Sequence, residues 1–559
     1  MTGTVPKMPQ KQQVYEVLFS KEHVPCIHRL KMAKWMLLML WMSQYLSVFG
    51  ADLFTSLAQL KGLARLEGAL SQSLDDYLKE QSEAPQILRQ FADHVRKESE
   101  IARGNIEQYV FHPINSFQLV RRFVRHWREL DSYLAMGTQN DLKWEIKVNR
   151  PAFPTAKDFM GSISALLRIQ DVYNLSAHRI ANGELHDGNF SGGLGPDECY
   201  ELGVVSHDQE DYEDVTDWMR EALMRMSPPY KYSGALLKND VLEYLSWAEY
   251  QLGLLDEAII HTKDILDKDP KNEQAKVNLN YFEAEQLDLG EANKDKAATR
   301  SKKMAKHETK KKESLMATYK RLCRGESRKI QKERDKLFCY YSKNLPTLQL
   351  KPIKVEMLNV DPDLYLLHDV ITDKETQHLK KLAKPQLKRA FVTDINNGNQ
   401  LPADYRTSQS AWIEDSVSPI AKRISQRLQA FTGLSLEPPH SEPLQVANYG
   451  MGGHYEPHFD YVQNSDGTLP NGEIGDRVAT VLFYLSDVDA GGSTVFLDIE
   501  EFVNPKKGDA VFWYNLDKNG RPDVRTRHAA CPVIVGSKWV ANKWINERGQ
   551  EFRRPCTKG

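Results

Sequence analysis

Net charge is nearly absent from this 559-residue chain, in which 74 lysines and arginines face 76 aspartates and glutamates for a formal charge of -2. Such a balance argues against a general polyanion binder, and composition does not point to nucleic acid. Long apolar runs are equally scarce. In MAKWMLLMLWMSQYLSVFG the uninterrupted apolar part, Trp35 to Trp41, is short for a bilayer span. Arg29, Lys31 and Lys34 precede its core, and Ser43, Gln44, Val48 and Gly50 follow, which is the order of a secretory signal peptide. The expected start is Met32, with residues 1–31 an extension and cleavage near Gly50; a signal anchor is the alternative. Cysteine is sparse at six residues, which fit the secretory reading. Cys26 precedes the cut, and the other five read as two local pairs, Cys323 with Cys339 and Cys531 with Cys556, leaving Cys199 single. Asn174 (NLS) and Asn189 (NFS) are glycosylation acceptors if the chain enters the endoplasmic reticulum.

What is present suggests about three or four folded units. Leu57, Leu60, Leu63, Leu66, Leu70, Leu74 and Leu78 recur at helical spacing, so residues 51–190 read as a helical bundle or coiled coil that could serve dimerisation. Two later stretches, DECYELGVVSHDQEDYEDVTDWMREALMRM and VLEYLSWAEYQLGLLDEAIIHTKDILDKDPKNEQAKVNLNYFE, share one plan. Each has an aromatic-rich helix, a short turn and a helix with Ala222 or Ala258 at a close-packing position. They resemble tetratricopeptide repeats, assigned here to residues 195–290, which use a concave groove for an extended peptide. Core packing explains any one of Tyr244, Trp247 and Tyr250 taken alone. The cluster, with Asn278 and Tyr281 on the following helix, suggests a groove for a polyproline II ligand, because rings stack on proline and an amide reaches its free carbonyls. Residues 291–350 read as a basic linker, NKDKAATRSKKMAKHETKKK, followed by a small disulfide loop.

From 351 to 559 the pattern changes to short strand-like runs set off by Gly, Asp and Asn: LQVANYG, RVATVLFYLSDV, GDAVFWYNL, CPVIVGS and KWVANKWI. The predicted fold is a multidomain chain with an all-α N-terminal half followed by a double-stranded β-helix, or jelly roll, with the helices DKETQHLKKLAK and SVSPIAKRISQRLQAFTG on its outside. Within HYEPHFDYV, alternation along a strand puts His454, Glu456, His458 and Asp460 on one face. His458 and Asp460 are close enough to hold one ion, whereas His454 is about 13 Å of strand from His458. His528 in TRHAACPV is the candidate third ligand, with Lys538 on a returning strand. Two histidines and a carboxylate form the facial set of a non-haem Fe(II) centre, leaving positions for a bidentate 2-oxo acid and dioxygen.

LQVANYG, EPHFDYV, VLFYLSDVDAGGSTVF and TRHAACPVIVGSKWVANKWINERGQEFRRPC resemble the alpha subunits of collagen prolyl 4-hydroxylase, and the likeness extends over nearly everything after Met32. The resemblance implies that His458, Asp460 and His528 hold Fe(II), that Lys538 pairs with the distal carboxylate of 2-oxoglutarate, that Tyr449 and Thr480 contact the cosubstrate, and that Trp544 lies close to the metal. It further implies hydroxylation of prolines in X-Pro-Gly sequences, with succinate and CO2 as coproducts, L-ascorbate rescuing oxidised iron, and protein disulfide isomerase as beta subunit in an α2β2 assembly. RRPCTKG carries no KDEL-type signal, so retention in the endoplasmic reticulum lumen would come through that partner. His207 and Trp247 stand where the family tends to have tyrosines, which leaves groove specificity open, and His454 is read as a non-ligand. The alternatives are a hydroxylase of non-collagen secreted proteins or of lysine, and a catalytically silent binder of proline-rich peptides; Lys538 and the repeats argue against the lysyl enzymes, which generally use Arg for the cosubstrate carboxylate.

Overall fold

The computed structural model describes residues 54–557 except 55, 82–83, 136–139, 187–191, 228–235, 288–313, 344–345, 394–399, 403–404 and 462–473. The expected signal segment, Asn189 and the lysine-rich linker lie outside the described residues. Among the described residues no helix is long and apolar enough to cross a membrane. The chain forms two compact units, one from Asn174–Glu313 and one from Gly50–Tyr173 together with Ser314–Gly559.

In the second unit the leucine periodicity becomes α1 (Leu57–Glu80), which starts where the Ser56 hydroxyl accepts from the Gln59 N–H and buries Leu60, Leu63, Leu70 and Leu74. It packs on α2 (Gln86–Gly104). The buried Glu67 of α1 takes a two-pronged hydrogen bond, 2.8 and 2.7 Å, from Arg122 of α3 (Pro113–Arg122). A carboxylate can be buried there because a guanidinium satisfies both oxygens. Helix α4 (Ala156–Tyr173) lies against α3, with Phe117 and Phe159 stacked at 5.9 Å.

The first unit contains α5 (Pro196–Asp208), α6 (Tyr212–Arg225), α7 (Lys238–Gln251), α8 (Leu255–Lys268) and a helical segment 273–287. Successive members pack on one another, which is the repeat plan read in the sequence. Glu249 of α7 is fully buried and accepts from Arg220 of α6 at 3.0 Å, and it lies 2.7 Å from His261 of α8, so one carboxylate ties three helices together.

The C-terminal part returns to the second unit. Helix α9 (Leu315–Cys323) precedes a nine-stranded antiparallel sheet built from β1 (Cys339–Ser342), β2 (Ile353–Val360), β3 (Asp363–His368), β4 (Lys388–Arg389), β5 (Gln409–Ile413), β6 (Leu444–Tyr449), β8 (Arg477–Tyr484), β11 (Ala510–Tyr514) and β13 (Lys538–Asn546). Their spatial order is β1-β2-β3-β11-β8-β13-β6-β5-β4. A four-stranded sheet faces it, in the order β10 (Glu501–Val503), β9 (Thr494–Phe496), β12 (His528–Ala530), β7 (Tyr455–His458). Helices α10 (Asp373–Ala383) and α11 (Pro419–Thr432) cover the outside of the large sheet. Thr372 and Glu375 form the capping box of α10, while Ser418, Pro419 and the left-handed Gly433 bound α11.

Both faces of the central strands are covered, so β8 is buried from Val478 to Tyr484 and does not alternate with exposed residues. Its pleat still divides the side chains. Val481 and Phe483 join the core under the two helices, and Leu482 and Tyr484 join the one inside the roll.

The cysteine pairing differs from the sequence expectation. Cys323 bonds to Cys531 across 208 residues, while Cys339 and Cys556 are exposed free thiols and Cys199 is a buried one. Nearness in sequence misleads here because α9 lies against β9 and β10, in a cluster where Tyr319, Leu322 and Cys323 meet Val495, Leu497, Ala529 and Cys531. Cys339 instead enters edge strand β1, so no disulfide loop joins it to Cys323.

Candidate active site

Two strands of the small sheet carry the histidines. In the β7–β12 ladder His458 and His528 are direct partners, and a register shift follows between His528 and Ala530. The His458 ring nitrogen Nδ1 lies 2.7 Å from the Glu456 carbonyl and His528 Nδ1 lies 3.0 Å from that of Thr526. A carbonyl only accepts, so each Nδ1 carries the proton and each Nε2 presents a lone pair. Those Nε2 atoms stand 3.9 Å (His458) and 3.8 Å (His528) from the two oxygens of Asp460. All three ligand atoms fall within 4.8 Å of one another.

The electrostatics suit a metal. Burial, reinforced by neighbouring His528, pushes the His458 imidazole down to about 3, so it is a neutral ligand at physiological pH. Burial pushes the Asp460 carboxyl up, but His528, His458 and Arg477 more than offset this and hold it below the usual carboxylate range. Tyr455 stacks on His458 at 3.5 Å, while Trp513 and Phe496 close on the His528 ring at 4.8 and 5.6 Å. This aromatic wall keeps the donors dry on one side.

Opposite lies the inner face of the large sheet. On β13 the two-residue period gives Lys538, Val540 and Trp544 one parity, and Val540 belongs to the interior core. Lys538 is 1% exposed. Its Nζ donates to Thr494 Oγ1 at 3.3 Å and lies 5.7 and 5.9 Å from the rings of Tyr449 and Tyr484. Burial alone pushes its ammonium down to about 7, and no carboxylate pairs with it among the described residues. A buried cation without an anion is costly, and a ligand carboxylate would remove that cost.

Thr480, expected beside the cosubstrate, donates its hydroxyl to Asp460 Oδ2 at 2.9 Å. Trp544 faces Thr480 across the β8–β13 ladder, and the Arg477 guanidinium lies 3.9 Å above its ring while donating to the Asp460 backbone carbonyl at 3.3 Å. His454 is buried outside the ligand group, and burial holds its imidazole well below the normal range.

Sequence reading passed over Arg477, Thr494, Trp513 and Asn515. All four lie in stretches that read only as strands; a polar residue at an interior-facing parity of a buried strand, as at Thr494, is the signal that could have found it.

In the other unit Tyr244 and Trp247 are buried at 3% and 4% exposure. Trp247 packs with Ala258, Ile259 and Phe282, and Tyr244 meets Tyr200 and His207 edge to face at 5.7 and 5.2 Å. These two belong to the packing between repeat helices, whereas Tyr281 is 36% exposed and Asn278 half-buried. Asn278 accepts from Gln274 at 2.8 Å.

A facial His–Asp–His set in a jelly roll, with a buried lysine inside the same roll, defines an oxygenase that uses Fe(II) and 2-oxoglutarate. Residues 444–546 match the family model described as the 2OG-Fe(II) oxygenase superfamily. Residues 56–187 match the prolyl 4-hydroxylase alpha-subunit N-terminal region, and 196–287 the prolyl 4-hydroxylase peptide-substrate-binding domain. Prolyl 4-hydroxylase subunit alpha-1 of Rattus norvegicus is 40% identical over 515 residues, covering 90% of this chain and 95% of the relative; that of Homo sapiens gives the same figures. The Caenorhabditis elegans subunit alpha-1 is 36% identical over 516 residues, covering 90% of each. Among solved structures, a viral collagen prolyl hydroxylase from Paramecium Bursaria Chlorella virus-1 in complex with 2OG covers 33% of this chain and 95% of its own, at 23% identity and a TM-score of 0.27. The chain belongs to the prolyl 4-hydroxylase alpha-subunit family, and it is a 2-oxoglutarate-dependent prolyl hydroxylase.

Proposed function

We propose that this subunit hydroxylates prolines in X-Pro-Gly segments of collagen-like chains within the endoplasmic reticulum lumen, with protein disulfide isomerase as its partner subunit in an α2β2 assembly and ascorbate to restore oxidised iron. The observation that carries the catalytic part is Lys538, a buried ammonium with no carboxylate partner among the described residues, inside the same jelly roll as three convergent metal donors. The names of the relatives support proline as the target, and the peptide-binding match at 196–287 supports a proline-rich chain as substrate. The disulfide Cys323–Cys531 and the signal-like apolar segment support the compartment.

In this reading His458 Nε2, His528 Nε2 and Asp460 hold the iron, and the backbone carbonyls of Glu456 and Thr526 lock both imidazole tautomers. Lys538 takes the distal carboxylate of 2-oxoglutarate, with Tyr449 and Thr494 lining its approach. When bound, the iron and the 2-oxo acid supply an oxidant from dioxygen, with decarboxylation to succinate and transfer of hydroxyl to the proline ring. Thr480 and Arg477 keep Asp460 oriented, and Trp513 and Phe496 exclude water.

The test is iron-dependent conversion of 2-oxoglutarate to succinate by the full chain coexpressed with protein disulfide isomerase. Stimulation by a (Pro-Pro-Gly)n peptide with formation of 4-hydroxyproline is the expected result. Turnover stimulated only by a lysine-bearing or non-collagen peptide moves the substrate elsewhere, and peptide binding without turnover leaves a silent binder.

A further inference from the structure

The β7–β12 ladder that spaces His458 from His528 is short, joining a four-residue and a three-residue strand with a register shift in between. So small a ladder holds its ligands weakly by itself. What stands behind it is helix α4, from the N-terminal helical region, within the same compact unit. Arg168 of α4 donates to the Gly452 carbonyl at 3.0 Å, in the turn that leads into β7. Tyr173 at the helix end donates its hydroxyl to the Pro532 carbonyl at 2.6 Å, in the turn that follows β12.

The two turns are themselves joined. Gly452 N–H donates to Val533 O at 3.0 Å, and Val533 N–H donates to Gly453 O at 3.1 Å. Close approach is built into the contact: Gly452 has φ +59°, and a Cβ there would lie 2.9 Å from the Ala165 carbonyl oxygen. Phe54, Ala165 and Met451 complete a small apolar seam, and Val172 packs with Ala529 and Cys531.

We propose that α4 is a positioning element of the iron site, with Arg168 and Tyr173 as positioning residues that set the separation of the two ligand-bearing strands. They touch neither metal nor cosubstrate and act through the backbone of the turns at 450–453 and 531–533. The proposal rests on the iron reading of His458, Asp460 and His528.

The experiment measures Mn(II) binding to the metal-free full chain, coexpressed with its partner, by electron paramagnetic resonance, alongside the Fe(II) half-saturation of succinate formation. Arg168→Ala and Tyr173→Phe are expected to weaken Mn(II) binding and raise the Fe(II) requirement by roughly 10-fold, as losses behind first ligands do. kcat at saturating iron and the KM for 2-oxoglutarate should stay within about twofold of the parent, and Arg168→Lys should recover part of the loss by restoring a donor. Arg96→Ala, which removes an exposed ion-pair partner on α2, serves as the control for general destabilisation. Tyr173→Phe keeps the ring and its packing, so it remains informative if Arg168→Ala fails to fold. Folded variants that bind Mn(II) as tightly as the parent overturn the proposal. A parent chain that binds no Mn(II) and needs no iron overturns the iron reading instead, so the two failures are distinguishable.

Discussion

Asn515 stands behind Thr480 as a hydrogen-bond donor, its Nδ2 lying 2.9 Å from the threonine hydroxyl oxygen. The direction is fixed from the far end, because the Trp513 indole N–H can only donate and does so to Asn515 Oδ1 at 2.7 Å. Thr480 is therefore left with its own proton for Asp460, and a chain of three side chains aims a metal ligand.

Asn515→Asp reverses that chain. A carboxylate cannot donate to Thr480, so the hydroxyl turns away from Asp460, and a second negative charge enters the buried site. The Fe(II) half-saturation should rise about 10- to 100-fold with the fold preserved. An iron titration of turnover equal to the parent's would show that the relay does no positioning.

Loss of a ligand itself is harsher. His458→Ala, Asp460→Ala and His528→Ala should each abolish turnover, since among the described residues only these three protein donors converge. Near-native succinate formation by a folded His528→Ala protein would remove that residue from the ligand set.

Binding of 2-oxoglutarate should take up a proton above pH 7. The Lys538 ammonium is held down to about 7 by burial in the ligand-free protein, and a bound carboxylate raises it. Affinity for the cosubstrate should fall as pH climbs beyond 7, with calorimetry in buffers of different ionisation enthalpy reporting the proton. Without ligand the unfolded chain binds the extra proton between about 7 and 10.5, so the lysine makes stability rise with pH across that window. Lys538→Met should erase this slope, stabilise the ligand-free protein near neutrality and greatly weaken 2-oxoglutarate binding.

Non-reducing peptide mapping should recover Cys323 joined to Cys531 and leave Cys339 and Cys556 alkylatable. Cys323→Ser should destabilise the fold by about 2–5 kcal/mol, and Cys556→Ser should leave the Tm nearly unchanged. A large Tm loss on Cys556→Ser would point back to local pairing.

For the repeat unit, exposure separates the tyrosines. Tyr281→Ala should weaken binding of a (Pro)n peptide by about 1–3 kcal/mol without a shift in melting. Tyr244→Ala should destabilise the fold by about 3–5 kcal/mol, because it empties a site between helices. Peptide titration and thermal melts of the full-length variants check both.

Local pattern by itself determined the helical leucine face of α1, the repeat plan between Pro196 and Lys268, the strand-rich C-terminal part and the closeness of His458 to Asp460. Each depends on residues a few positions apart, where the 3.6 and 2.0 periods operate. His528 was readable as a third donor because its company, Lys538 and a returning strand, resembles a family arrangement. Only the tertiary structure decided that Cys323 meets Cys531, that Thr480 hydrogen-bonds Asp460, that Tyr244 and Trp247 are buried, and that α4 reaches the turns beside the strands of the metal site. These partners lie on different elements brought together by packing, and no periodicity in a chain encodes which distant surface will cover it.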